Sequence, residues 1–266
     1  MSSSKSHSRR PWWSTLGIYA GLSLAAFIMV VPLLFSFVTA FKSPQDFASH
    51  SPFALPSPPS LASFQAILTG RVNFGDAIIT TLLMVVVMVV GQLVSSVLAA
   101  YAFARIEFPG REVIFWLFLG TMMIPASVLV IPLYLMMAKM GLNNTFWGIV
   151  LPFVFASPYA VFLLRQSFRQ IPQEIIDAAT MDGAGQMRIL FSIVVPVSKP
   201  IISTLVLITV VSQWNSFMWP RIIAATRPRV LTVATAALQS QYNANWTYVM
   251  AATTIALVPL IALFIV

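Results

Sequence analysis

Six apolar runs dominate this sequence, and each is long enough to cross a bilayer as a helix. They are residues 16–41, 77–104, 113–138, 146–164, 201–220 and 246–266, and none contains Asp, Glu, Lys, Arg or His. A hydrocarbon core about 30 Å thick takes roughly 20 residues of helix. A charge at its centre costs about 2.5–3.5 kcal/mol on insertion scales, so charge-free runs are what spans require. Only 8% of the 266 residues are charged and 59% are hydrophobic, against about 25% charged in a soluble domain. Such a chain cannot coat itself with a polar surface. The sequence predicts an all-α membrane protein of six transmembrane helices, folded as a single domain over 1–266.

The net charge of +8 does not point to nucleic acid. The 15 Lys and Arg are scattered singly between apolar runs and form no basic stripe. Flanking charge on membrane loops explains them. The polar amino terminus, with Lys5, Arg9 and Arg10, is placed in the cytoplasm. The run after it exceeds the 7–15 residues of a signal-peptide core, so it is read as a retained first span. Six passes return the carboxyl end to the same side. The inner segments then hold nine of the 15 cations, including Arg105, Arg111, Arg165 and Arg169. The run stops at Val266 without a polar flank, which predicts a further tail. With no Cys, disulfides, thiol catalysis and Cys-ligated metals are excluded.

The extracytoplasmic segment 42–75 is rich in Pro and Ser and is expected to be irregular, with a short helix near 61–68. A third polar segment, 221–245, also lies outside. Gly91, Ser95 and Ala99 recur every four residues, a spacing that lets helix backbones approach closely. Gly17 and Gly21 share it. Pro125 and Pro132 predict a kinked third span.

Segment 165–200, placed inside, carries the functional signal. It contains Ile171-Pro172-Gln173-Glu174-Ile175-Ile176-Asp177-Ala178-Ala179-Thr180-Met181-Asp182-Gly183-Ala184. Pro172 suits a first helical turn, Glu174 and Asp177 favour the positive end of the helix dipole, and Gly183 can end the helix in a left-handed conformation. A helix over 172–182 is predicted, roughly 16 Å long, too short and too polar to span. Ala178 and Ala179 would give it a smooth face for another protein. From physics alone it could equally lie passively on the membrane.

The spacing adds to that reading. Asp177-Ala178-Ala179, three residues, Gly183, nine residues, then Ile193-Val194-Val195-Pro196 resembles the signature of inner-membrane permeases of binding-protein-dependent ABC importers. Asp stands for the usual Glu, and Val195 for the usual Leu. The fragment from Ser96 to Arg105, Pro109-Gly110-Arg111, Ile131-Pro132-Leu133-Tyr134, and Trp214-Asn215 with Trp219-Pro220 extend the likeness to the carbohydrate-uptake branch, near the smaller maltose-type and glycerol-phosphate-type permeases. The resemblance implies that the short helix docks into a cleft of an ATPase subunit. Glu174, Asp177, Ala178, Ala179, Asp182, Gly183 and Ala184 would belong to that contact. It also implies a second, homologous permease in a heterodimer, two ATPase subunits that carry ATP and Mg, and an external solute-binding protein. No cofactor or metal is expected on this chain.

No phosphate-cradling loop of the Gly-x-x-x-x-Gly-Lys-Ser/Thr type occurs, so energy must come from another chain. An ion-coupled carrier is the main rival reading, but the runs hold no carboxylate to relay protons. Asp76 is read as a helix-start residue. An intramembrane hydrolase is a second rival, yet His7 and His50 lie outside the runs and leave no buried Ser–His pair. Asp46, Glu107 and Glu112 fall in loops. Gln92, Gln213, Trp214 and Asn215 are the polar or amphipathic residues that could line a solute path. Amides also bridge neighbouring helices, and both readings stay open. Gln239, Gln241, Tyr242 and Asn243, at the outer mouth, are candidates for touching the binding protein. Intact sugars, amino sugars and glycerophosphodiesters all fit as solutes.

Overall fold

The structure is a computed structural model, and it describes residues 12–70, 74–241 and 246–265. In chain order its helices are α1 (Trp12–Ala40), α2 (Pro44–Ser49), α3 (Ala62–Thr69), α4 (Phe74–Arg105), α5 (Arg111–Gly120), α6 (Ala126–Lys139), α7 (Phe146–Val150) and α8 (Pro158–Arg169). They continue with α9 (Gln173–Met181), α10 (Gln186–Ile189), α11 (Val195–Val197), α12 (Lys199–Trp214), α13 (Met218–Ile223), α14 (Leu231–Gln241) and α15 (Trp246–Ile265). No strand occurs among the described residues.

The continuous helices α1, α4 and α15 are each long and apolar enough to cross a bilayer. The other three predicted spans are not single rods. Arg111–Met123 meets α6 at 100°, Phe146–Phe153 meets α8 at 40°, and Gln186–Val197 meets α12 at 80°. Counted as one span each, these bent pairs bring the passes to the six expected.

The breaks have local causes. Proline pushes the residue before it out of the α region. Ile124, before Pro125, has ψ 117°, and Ser157, before Pro158, has ψ 130°. The expected kink of the third span is therefore a break at Pro125, whereas Pro132 sits inside an unbroken α6. Pro196, ahead of α12, and Pro200, in its first turn, each lack a backbone donor. The chain passes through a π-turn at Leu190–Val194, α11 and Ser198 before α12 starts. The fifth span also ends earlier than predicted. Asn215 closes α12, and Met218–Ile223 forms a separate helix. Hydropathy could not see that turn, because Phe217, Met218 and Trp219 prolong the apolar run.

The described residues group into two compact units. One draws on the chain before residue 72 and on Leu238–Pro259. In it Lys42 is fully buried, and its ammonium donates to the carbonyls of Ser51 (3.2 Å) and Pro52 (3.0 Å). That fastens the Pro/Ser-rich segment, which is more ordered than expected and holds both α2 and α3.

The second unit spans Val72–Ala237 and Leu260–Val266. Here α4 packs along α8 and α12. Its core includes Tyr101, Phe103, Phe115, Leu164, Phe168, Ile189, Leu190 and Leu205. Gly91 permits the close approach that the small-residue spacing predicted. A Cβ there would overlap the carbonyl oxygen and Cγ2 of Val154. A Cβ at Gly17 or Gly21 would meet nothing within 4 Å among the described residues. Segment 221–245, read as an outer polar loop, holds the end of α13 and all of α14, with Val230, Leu231, Val233 and Ala234 buried.

Candidate functional site

The short helix of the signature is α9. Pro172 stands just before it and Asp182 just after it, so it is one residue shorter at each end than predicted. Its exit is a Schellman turn. The Ala184 amide donates to the Ala179 carbonyl and the Gly183 amide to that of Thr180, both at 3.0 Å. Gly183 takes φ 79°, the left-handed conformation that this turn needs. Ala179 and Ala184, the apolar pair that accompanies the turn, pack against the core cluster.

One face of α9 is rooted and the other is free. Ile176 is buried and Ala179 half-buried, three residues apart on one side. Glu174, Asp177, Ala178 and Met181 are exposed on the opposite side, Met181 at 88%. The expected alanine face is thus split, with Ala178 presented outward and Ala179 holding the helix to its own chain. Asp182 and Gly183 are also exposed.

Arg105, the last residue of α4, ties α9 to the spans. Its guanidinium donates to the carbonyls of Phe168 and Ile171, and at 2.7 Å to Gln173 Oε1. Gln173 Nε2 then donates to Asp177 Oδ1 at 2.9 Å. A planar guanidinium, with several donors in fixed geometry, suits such a multi-carbonyl grip better than an ammonium. Beside it, Glu112 gathers three guanidinium groups, bonding to Arg165, to Arg169 at 3.1 Å and approaching Arg111 at 3.5 Å. Arg165 is buried. It also donates to the Phe103 carbonyl at 3.1 Å and lies 3.8 Å from the Phe115 ring centroid. Four of the cations assigned to the inner segments, Arg105, Arg111, Arg165 and Arg169, thus gather beside the start of α9.

The second feature is a cavity of about 390 Å³ beside the α7–α8 break. Gln92 of α4, Phe153 and Tyr159 at the break, and Thr209, Ser212 and Gln213 of α12 line it. A broken helix at membrane depth frees backbone groups that need new partners. Here α4 supplies them. Gln92 Nε2 donates to the Phe153 carbonyl, and Ser96 Oγ accepts from the Ser157 amide at 3.2 Å. Gln92 therefore bridges helices, one of the two readings that the sequence left open, and also lines the cavity. Trp214 is buried and is not part of the lining, and the Asn215 amide turns back to the Val211 carbonyl at 2.8 Å. Thr209, Ser212 and Tyr159 were missed, since hydroxyls in a span carry no sequence signal until the break places them. Among the outer-mouth candidates, the side chains of Gln239 and Gln241 and all of Tyr242 and Asn243 lie outside the described residues. Among the described residues no cluster of His, Asp and Glu could hold a metal ion.

Known proteins are similar to this chain in sequence and in fold. Residues 92–266 match the family described as binding-protein-dependent transport system inner membrane component. A diacetylchitobiose uptake system permease protein of Streptomyces coelicolor is 30% identical, covering 93% of this chain and 83% of that protein. An sn-glycerol-3-phosphate transport system permease protein of Yersinia pestis is 32% identical over 90% of this chain and 87% of its own length. An arabinooligosaccharides transport system permease protein of Halalkalibacterium halodurans is 31% identical, with 92% and 88% covered. In fold the chain is similar to a solved bacterial ABC transporter involved in import of the acidic polysaccharide alginate, with a TM-score of 0.83, 24% identity and 97% of this chain aligned. The chain belongs to the family of inner-membrane components of binding-protein-dependent transport systems.

Proposed function

We propose that the chain is a permease subunit of a bacterial ATP-driven importer and passes a sugar or sugar-like solute delivered by an extracytoplasmic binding protein. It works as one permease domain over 1–266, with both termini cytoplasmic. It pairs with a second, homologous permease, and two ATPase subunits carry the ATP and Mg. Relatives that import diacetylchitobiose and arabinooligosaccharides support the solute class. An ion-coupled carrier is disfavoured by the family and by spans without a carboxylate. Gln92 and Gln213 contribute to the solute path, and segment 239–243 meets the binding protein.

The observation that carries this reading is the two-faced α9. Ile176 and Ala179 root it in the core, while Glu174, Asp177, Ala178 and Met181 are exposed on its outward face among the described residues. Such a helix suits a partner that pushes on it and moves the spans through it. Ala178 is exposed, so Ala178→Trp leaves this subunit's own packing intact while blocking close docking. Expected is normal membrane insertion with ATPase co-purification weakened about tenfold or more, equivalent to ~1.4 kcal/mol. Undiminished co-purification together with normal uptake would remove α9 from the coupling contact.

A further inference from the structure

Relatives of this chain are named for two chemical classes of solute, neutral saccharides and a phosphate ester, and the cavity beside the α7–α8 break bears on the choice. Its described lining offers two amides (Gln92 and Gln213), four hydroxyls (Ser157, Tyr159, Thr209 and Ser212) and the Phe153 and Phe155 rings, and includes no charged side chain. Of the cations in this unit, Arg221 sits over the Phe217 ring, 5.6 Å from its centroid, and three others have partners of their own. Arg105 grips backbone carbonyls at the far end of α4, 13 residues or roughly 20 Å along the helix from Gln92. Arg165 and Arg169 are held by Glu112.

An anion entering this space would lose water and meet no opposite charge, and an unpaired charge in an apolar setting is strongly disfavoured. A neutral saccharide would meet what it needs. Amides and hydroxyls exchange hydrogen bonds with ring hydroxyls, and an aromatic ring covers the C–H face. A volume of about 390 Å³ also falls within the range of small-molecule sites, about 300–1,000 Å³.

We infer that this cavity is a saccharide subsite selective for uncharged sugars, and that phosphorylated or acidic solutes are not bound there. The inference rests on the proposed importer function and narrows it.

The test uses the purified complex of both permeases with the ATPase subunits, and equilibrium dialysis with labelled N,N′-diacetylchitobiose, arabinobiose and sn-glycerol 3-phosphate. Saturable binding of at least one neutral probe is expected, with none for glycerol phosphate. Gln213→Ala combined with Thr209→Val should weaken the neutral probe about tenfold or more, and Thr209→Ser alone should keep most of the affinity. Saturable glycerol phosphate binding that the double variant abolishes overturns the inference. So does the absence of neutral binding, or neutral binding that the double variant leaves unchanged. Assembly and ATP hydrolysis of the same complex are measured alongside. A complex that assembles and turns over ATP but fails the dialysis test defeats the subsite alone. One that never assembles with an ATPase defeats the importer reading.

Discussion

Gly183→Val is expected to remove most transport and most ATPase stimulation by loaded binding protein, while the permease still inserts; Gly183→Asn is expected to restore much of both. The residue sits at φ 79° with open space where a side chain would go, so the effect is conformational and not a clash. A β-branched residue held at positive φ costs about 1–3 kcal/mol. The chain can avoid that cost by opening the Schellman turn. Opening it releases the Ala184 amide from Ala179 and the Gly183 amide from Thr180, and with them the angle at which α9 leaves the core. Asn tolerates the left-handed region better than other non-glycine residues, so it separates backbone conformation from any other role of position 183. Wild-type transport by the valine variant would show that the exit angle of α9 is irrelevant.

Gly91→Val acts near the middle of α4 and should fail earlier, at folding. A Cβ at position 91 would overlap the Val154 carbonyl, which is backbone and cannot rotate aside as a side chain can. Overpacking typically costs about 1–3 kcal/mol, occasionally more, and valine adds two methyl groups beyond that Cβ. The α4–α8 approach would widen, and with it the bonds from Gln92 to Phe153 and from Ser157 to Ser96. The amount of assembled complex recovered from membranes should fall several-fold. Gly120→Val meets nothing within 4 Å of its Cβ and should leave recovery within error. Equal recovery of both variants would contradict the packing described for α4.

What could be read in advance follows from how local each signal is. The end of α9 was legible because a Schellman turn needs glycine at one position, and Gly183 stands there with acids upstream. The start of α4 was legible from Asp76, which lies in its first turn. The break at Pro125 was half legible. Proline marked the place, but the equally visible Pro132 sits inside a continuous helix, so local chemistry alone does not choose between kink and break. Arg165 could not be assigned from its own neighbourhood. It was read as a loop cation, and its burial depends on Glu112 and Phe103, 53 and 62 residues away in sequence. The cavity was legible only as isolated amides, since its hydroxyls come together through the Ser157–Pro158 break and the packing of α12. In the outer segment, the polarity of Arg227–Arg229 and of 239–245 hid the buried start of α14.

The claim that α9 meets the ATPase is tested most directly by site-specific cross-linking. The chain has no cysteine, so a single introduced thiol reports from one place. Met181→Cys puts it on the free face of α9, where the native side chain is 88% exposed. Met123→Cys, at the α5–α6 break and 85% exposed in this chain, is a control within the third span. In membranes carrying the complete importer, a short bifunctional reagent should join position 181 to the ATPase subunit, with a yield that changes when ATP is bound, and should leave position 123 unjoined to it. ATPase adducts at 123 with none at 181 would contradict the account.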